Sequence, residues 1–127
     1  MCLDIITTPK KLKPNGTGYK MFHKKNNGDL YFSYRFIGKQ VPLPIRKWMN
    51  EKDYRKKHNK GKEKIWVRNH ESYPMGFHIY LNKKFAEEIM WGSDVLIPVK
   101  FRKAHTKGKQ IGINVIVAKE IFIQREV

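Results

Sequence analysis

The chain has 127 residues and a formal net charge of +16, from 27 lysine and arginine residues against 11 acidic ones. With 40% hydrophobic and 13% aromatic residues it has enough apolar material for a packed core, which excludes a disordered chain. Its single cysteine excludes an internal disulfide framework and a multi-cysteine zinc site. We therefore expect one globular domain over residues 1–127.

The charge excess predicts an anionic partner, because so many like charges repel one another in a compact protein. The alternative is a surface whose lysines are simply solvated. No apolar run approaches the roughly 20 residues of a membrane span, and the N-terminal residues lack a secretory pattern. We expect a soluble cytoplasmic protein without a membrane partner.

The first half of the chain alternates loops with short strands. Residues 7–18 carry two prolines and two glycines among lysines, which predicts a loop or mobile arm. Asn-Asn-Gly-Asp at residues 26–29 predicts a tight hairpin turn, because asparagine and glycine adopt left-handed conformations. Residues 46–64 predict a lysine-rich helical insert, in which Trp48 and Met49 have helical spacing with the preceding isoleucine.

A strand followed by a short helix is predicted for residues 77–92. The alternation of residues 77–81 indicates a strand that turns His78 and Tyr80 away from the core. Asn82 is a good N-cap for the helix, whose buried stripe contains Phe85 and which ends at a glycine.

The last third of the chain is rich in β-branched residues. Residues 94–102 and 110–124 predict two strands joined by a polar turn at residues 103–109. Their long apolar runs place them near the middle of a sheet. The order of elements predicts an α+β fold, with a mostly antiparallel β-sheet and one or two short helices.

Basic side chains cluster in the predicted turn and could bind phosphate, with Gly108 and nearby backbone amides as neutral donors. The phosphate-binding candidates are Lys100, Arg102, Lys103, Lys107 and Lys109, with Lys64 and Arg68 from a neighbouring strand. Bases stack on exposed aromatic rings over basic grooves, so Trp48, Trp66 and Tyr80 are stacking candidates. The alternatives are solvated loop lysines and rings that belong to the core.

The enzyme hypothesis rests on histidine. His78, His105 and a lysine would suit metal-independent RNA cleavage by proton transfer, although a structural or ligand-lining His78 is favoured over a catalytic one. The five histidines lack metal-ligand spacing, and no Walker or dinucleotide motif is present, so no metal or other cofactor is expected.

Several short motifs recur in one protein group. They are Met-Cys-Leu at residues 1–3, a Tyr-Lys strand at 18–22, Gly-Phe-His-Ile-Tyr at 76–80, and the strands at 95–101 and 115–123. In these motifs the chain resembles short uncharacterised proteins of bacteriophages and prophages, with residues 39–70 unmatched. The resemblance implies a small α+β accessory protein acting in the cytoplasm of a bacterial host, as inhibitors of host defence and binders of nucleotide signals do.

Three functions follow as hypotheses. The leading one is non-enzymatic binding of a phosphate-bearing ligand, either a nucleic acid or a nucleotide, as part of counter-defence. The second is a nuclease or nucleotide-modifying enzyme that uses histidine. The third is an inhibitor that binds an acidic surface of a host protein.

Overall fold

The computed structural model describes residues 3–32, 43–53, 64–66, 72–90 and 94–124. Two segments in this part are helical, namely residues 51–53 (α1) and Lys83–Glu88 (α2). The strands are β1 (Ile5–Ile6), β2 (Gly16–Lys24), β3 (Leu30–Phe32), β4 (Trp48–Asn50), β5 (Lys64–Trp66), β6 (Ser72–Pro74), β7 (Phe77–Tyr80), β8 (Asp94–Gln110) and β9 (Ile113–Ile123). Neither described helix has the length and apolar character needed to cross a membrane.

The main sheet has the order β1-β8-β2-β7-β9-β4, with β3 paired to β2. Every pairing is antiparallel, and β5 and β6 form a separate two-stranded ribbon. The predicted α+β fold with a mostly antiparallel sheet is confirmed. The long strands β8 and β9 each pair with three others, as their apolar runs predicted.

The sheet closes on itself, because β8 also pairs with β9. The pairings of β8 with β2, β2 with β7, β7 with β9 and β9 with β8 form a closed circuit of four strands. Strand β8 changes direction where Lys103 has a φ of 60° and where the register shifts between Ala104 and Thr106. A bulge of this kind bends a strand and lets one sheet curl around a core.

Two apolar cores lie on the two sides of the circuit. The main core is formed by residues of all four circuit strands, including Phe22, Ile79, Val99 and Ile121. The second core is formed by Leu3, Met21, Tyr73, Tyr80, Ala86, Ile113, Val115 and Val117. Strand β7 is buried on both sides as a result, whereas its alternation predicted one core face and one free face.

The helical insert predicted for residues 46–64 is wrong in its first part, because residues 46–50 are not helical. Trp48–Asn50 is strand β4, and helical backbone starts only at residue 51. Met49 is buried in the main core and lies opposite Ile121 of β9. Burial between strands therefore prevails over the helical spacing. Residues 54–63 of the insert lie outside the described residues.

The polar turn predicted at residues 103–109 is also wrong. These residues continue β8 to Gln110, and the chain turns at Ile111 and Gly112, whose φ angles are 52° and 74°. The left-handed Ile111 is stabilised by its backbone N–H, which donates to Asp4 Oδ2 at 2.7 Å. Polar composition was misleading here because one edge of β8 carries β1 while the other pairs with β9.

Two predictions based on local chemistry are confirmed. The hairpin turn at residues 26–29 joins β2 to β3, although only Gly28, at a φ of 91°, is left-handed and the predicted left-handed asparagine is wrong. The side chain of Asn82 caps α2 by accepting from the backbone N–H of Phe85 at 3.1 Å. The helix ends at Glu88, however, and Phe85 is exposed while Ala86 is its buried residue.

Candidate functional site

Two rows of side chains run across the paired strands β4, β9 and β8. In the first row Trp48 lies opposite Phe122, which lies opposite Lys100. In the second row Asn50 lies opposite Glu120, which lies opposite Arg102. Directly opposed residues on neighbouring strands are close enough for their side chains to interact. We define the basic aromatic face as Trp48, Lys100, Arg102, Lys103 and Phe122.

Cations and rings contact each other across this face. The guanidinium carbon of Arg102 lies over the ring of Trp48, 4.0 Å from its centroid. The Lys100 ammonium is 5.6 Å from the Phe122 ring centroid, and the two aromatic rings are 5.6 Å apart at 55°. Cation–π contacts of this kind are favourable while leaving the charge accessible. Trp48 is 39% exposed, so the face is open to solvent.

The carboxylate of Glu120 lies beneath the face and is buried. It accepts from Arg102 Nε and from Asn50 Nδ2, the latter at 3.1 Å, and is 3.6 Å from Lys103 Nζ. Burial alone would raise the pKa of Glu120, but the bonds from Arg102 and Asn50 and the neighbouring positive charges lower it overall. Glu120 therefore stays ionised and fixes the position of the Arg102 guanidinium.

The remaining donors of the face are available to a ligand. Within the described part of the chain, the terminal nitrogens of Arg102 and the ammonium of Lys100 have no hydrogen-bond or ion-pair partner. The face thus has three cations against one carboxylate, and its charge is positive. An arginine fork beside a lysine is suited to bind phosphate oxygens.

One basic residue of the face and one that precedes β4 have an unusual backbone. Arg46 and Lys103 have φ angles of 61° and 60°, in the left-handed region that side chains rarely adopt. The Arg46 N–H donates to the Ile123 carbonyl at 3.0 Å, which ties the segment before β4 to the end of β9. Such backbone strain is concentrated at functional sites in proteins, which adds weight to this face.

The structure separates Lys107 and Lys109 from the other phosphate candidates. Both lie at the far end of β8, where Ile5 pairs with Lys109 and Thr7 N–H donates to the Lys107 carbonyl at 2.7 Å. The predicted backbone donors around Gly108 are wrong, because Gly108 is paired with β1 on one side and β9 on the other. The sequence prediction had grouped these lysines with Lys100 and Arg102 because all of them lie in one lysine-rich stretch, but they are separated along one long strand.

Tyr80 is not a stacking residue, contrary to the prediction. It is 1% exposed in the second core, and its hydroxyl donates to Gln110 Oε1 at 3.4 Å. The alternation of residues 77–81 identified one core face correctly but did not reveal the second core that covers the other. Trp48 is the stacking candidate that the structure places on an open surface.

His78 is a structural residue. Its ring is 4% exposed, and Nε2 lies 2.9 Å from the Tyr73 hydroxyl, which also accepts from Leu3 N–H at 2.9 Å. Burial, with a further effect from the charge of Lys20, lowers the pKa of His78 to about 3. A neutral His78 is thus linked through the Tyr73 hydroxyl to the segment around Leu3.

His105 is half-buried at the bulge of β8. Its Nδ1 lies 2.7 Å from Thr106 Oγ1, and burial together with the charge of Lys119 lowers its pKa. A Cβ at Gly76 would lie 3.0 Å from His105 Nε2, and a positive charge on His105 lies close enough to lower the pKa of His78. The two histidines are therefore neighbours, but neither belongs to the basic aromatic face.

The structure does not describe the side chains of the remaining binding candidates from the sequence. The side chains of Lys64 and Trp66 on β5, and the whole of Arg68, lie outside the described residues. Conversely, Phe122 and Glu120 were missed as site residues. Phe122 could have been found, since it alternates with the apolar Ile121 and Ile123 and must point the other way.

No metal site is found in the part of the chain that the structure describes, since no three histidine, cysteine or carboxylate side chains group together there. No protein-family model, curated protein or solved structure matches the chain.

Proposed function

We propose that this protein binds a phosphate-bearing anionic ligand, a nucleic acid or a nucleotide, on its basic aromatic face without catalysing a reaction. The observation that carries the proposal is the Arg102 guanidinium over the exposed Trp48 ring, with Lys100 and Lys103 beside it. Phosphate contacts supply affinity, while an aromatic ring or a guanidinium plane supplies a surface on which bases stack.

The charge of the whole chain supports this proposal. A formal net charge of +16 attracts polyanions over a distance and concentrates them near the surface. Binding is favoured over histidine-dependent cleavage, because His78 is buried and His105 is half-buried beside it. The resemblance to phage proteins suggests an accessory role in a bacterial host, with ligand capture as a means of counter-defence.

Paired variants test whether the face or the overall charge binds. Lys100→Gln with Arg102→Gln removes two charges from the face, and Lys83→Gln with Lys84→Gln removes two from α2, where both lysines are exposed. We expect the face variant to lose at least about tenfold in affinity for a labelled oligonucleotide, about 1.4 kcal/mol. The α2 variant should lose no more than about threefold, roughly 0.6 kcal/mol.

Fluorescence anisotropy at fixed ionic strength measures these affinities. Equal losses in the two variants would show that charge acts without a site. Absence of binding to oligonucleotides and nucleotides alike would contradict the proposal. A host protein retained from nuclease-treated bacterial lysate by the wild type, and lost by the face variant, would favour the acidic-partner hypothesis instead.

A further inference from the structure

We infer that the ligand is a single-stranded nucleic acid that crosses β8 and β9, with an unpaired base stacked on the Arg102–Trp48 pair. This inference rests on the proposed function and narrows it from any phosphate-bearing ligand to one class. Three features of the basic aromatic face support it: its openness, its stacking surface and the spacing of its cations.

The basic aromatic face is an open surface formed by side chains of neighbouring strands. Trp48 and Phe122 belong to neighbouring strands of one sheet, and Trp48 is 39% exposed. Sites for free nucleotides are concave and bury most of the ligand between walls. A polymer needs no walls, because it continues past the surface and gains contacts along its length.

The stacking surface selects unpaired bases. Arg102 lies against one side of the Trp48 ring, 4.0 Å from its centroid, and both side chains are partly exposed, with Phe122 beside the ring. Glu120 holds this guanidinium through Arg102 Nε, which keeps it in place without a ligand. Base faces in a duplex are covered by their neighbours, whereas bases of a single strand stack on guanidinium planes and rings.

Two cations of the face, Lys100 and Arg102, follow each other along β8. Lys100 and Arg102 lie two residues apart on β8 and both reach the Trp48–Phe122 pair, so their backbone positions are about 6.6 Å apart. A single strand carries a phosphate at every nucleotide, so two neighbouring cations on β8 can contact phosphates of the same strand. The terminal nitrogens of Arg102 and the Lys100 ammonium have no hydrogen-bond or ion-pair partner among the described residues, so both can engage such a backbone.

The test compares three labelled probes on the full chain by fluorescence anisotropy: a 12-nucleotide oligothymidine, a duplex of the same length and a fluorescent adenine nucleotide. We expect the single strand to bind at least about tenfold tighter than either of the others. A duplex or mononucleotide that binds as tightly overturns the inference and leaves the proposed function standing. Failure of all three probes to bind overturns both.

Substitution of Arg102 by lysine separates stacking from charge. Arg102→Lys keeps the positive charge and loses the planar guanidinium. We expect single-strand affinity to fall about five- to tenfold, from the loss of one base stack, while duplex affinity changes less than twofold. Trp48→Phe keeps a ring under the cation and should retain single-strand affinity within about threefold. Equal losses for single strand and duplex in Arg102→Lys would contradict the stacking role.

Discussion

The salt dependence of binding counts the phosphates that the face neutralises. Each phosphate contact on a single strand contributes about 0.7 to the slope of log affinity against log salt concentration. The face offers Lys100, Arg102 and Lys103; Glu120 contacts the last two, but both keep exposed donors that a phosphate can reach. Replacing all three with glutamine should therefore lower the magnitude of the slope by about 2. Between 50 and 200 mM salt, the wild type should then lose about 20-fold more affinity than the variant.

The assay is anisotropy of a labelled oligothymidine at four or five salt concentrations, for the wild type, the triple face variant and a charge-matched control. The control carries Lys83→Gln, Lys84→Gln and Lys109→Gln, which remove three exposed charges from α2 and from the β1 end of β8. The control should keep the wild-type slope to within about 0.7, the value of one contact. A face variant with the wild-type slope would refute the reasoning, because its cations would then release no counterions.

The remaining predictions concern the fold that supports the face. Gly108→Ala would place a Cβ in steric clash with the Ile5 carbonyl oxygen, so β1 must shift; urea unfolding should show a loss of about 1–3 kcal/mol, and unchanged stability would contradict this packing. The pKa of His78 is lowered from 6.5 to about 3 in the folded state. Between these two pH values the unfolded state therefore binds more protons than the folded state. Stability should therefore fall by up to about 1.4 kcal/mol per pH unit on acidification, and His78→Gln should weaken that dependence. Burial lowers the pKa of Lys20 to about 8, so wild-type stability should rise between pH 8 and 10.5 relative to that of Lys20→Met, and parallel profiles would contradict it.

Local chemistry made part of the fold predictable. The hairpin turn at residues 26–29 and the Asn82 cap depend on residues close in sequence, so their patterns survive in the structure. The two C-terminal strands were predicted from β-branched runs and are confirmed, although β8 is longer than expected. The bend in β8 at Lys103 was not predictable, because a left-handed lysine has no composition signal.

Distant contacts made the rest unpredictable. The alternation of residues 77–81 could not show that Leu3 and Tyr73 would cover the side opposite the main core. Strand β4 is only three residues long and gains its stability from pairing with β9, about 70 positions away, so helical spacing was the stronger local signal.

The sequence predicted most residues of the candidate site, but it did not predict how they are arranged in space. Trp48, Lys100, Arg102 and Lys103 were each proposed from their residue types, and the structure places them on one face. Their meeting depends on the register of three strands, which a single sequence does not encode in any local motif. For the same reason Lys107, chosen with them, lies elsewhere on the sheet.

The most direct test of the central claim is to map the ligand onto the chain by NMR. Amide and indole N–H shifts of the uniformly labelled protein are followed while unlabelled oligothymidine is added. We expect the largest changes at the Trp48 indole, at residues 100–103 and at residues 120–122, with little change in α2 or at the β1 end of β8. Shift changes concentrated at Lys107 and Lys109 or at residues 83–88, with the basic aromatic face unaffected, would contradict it.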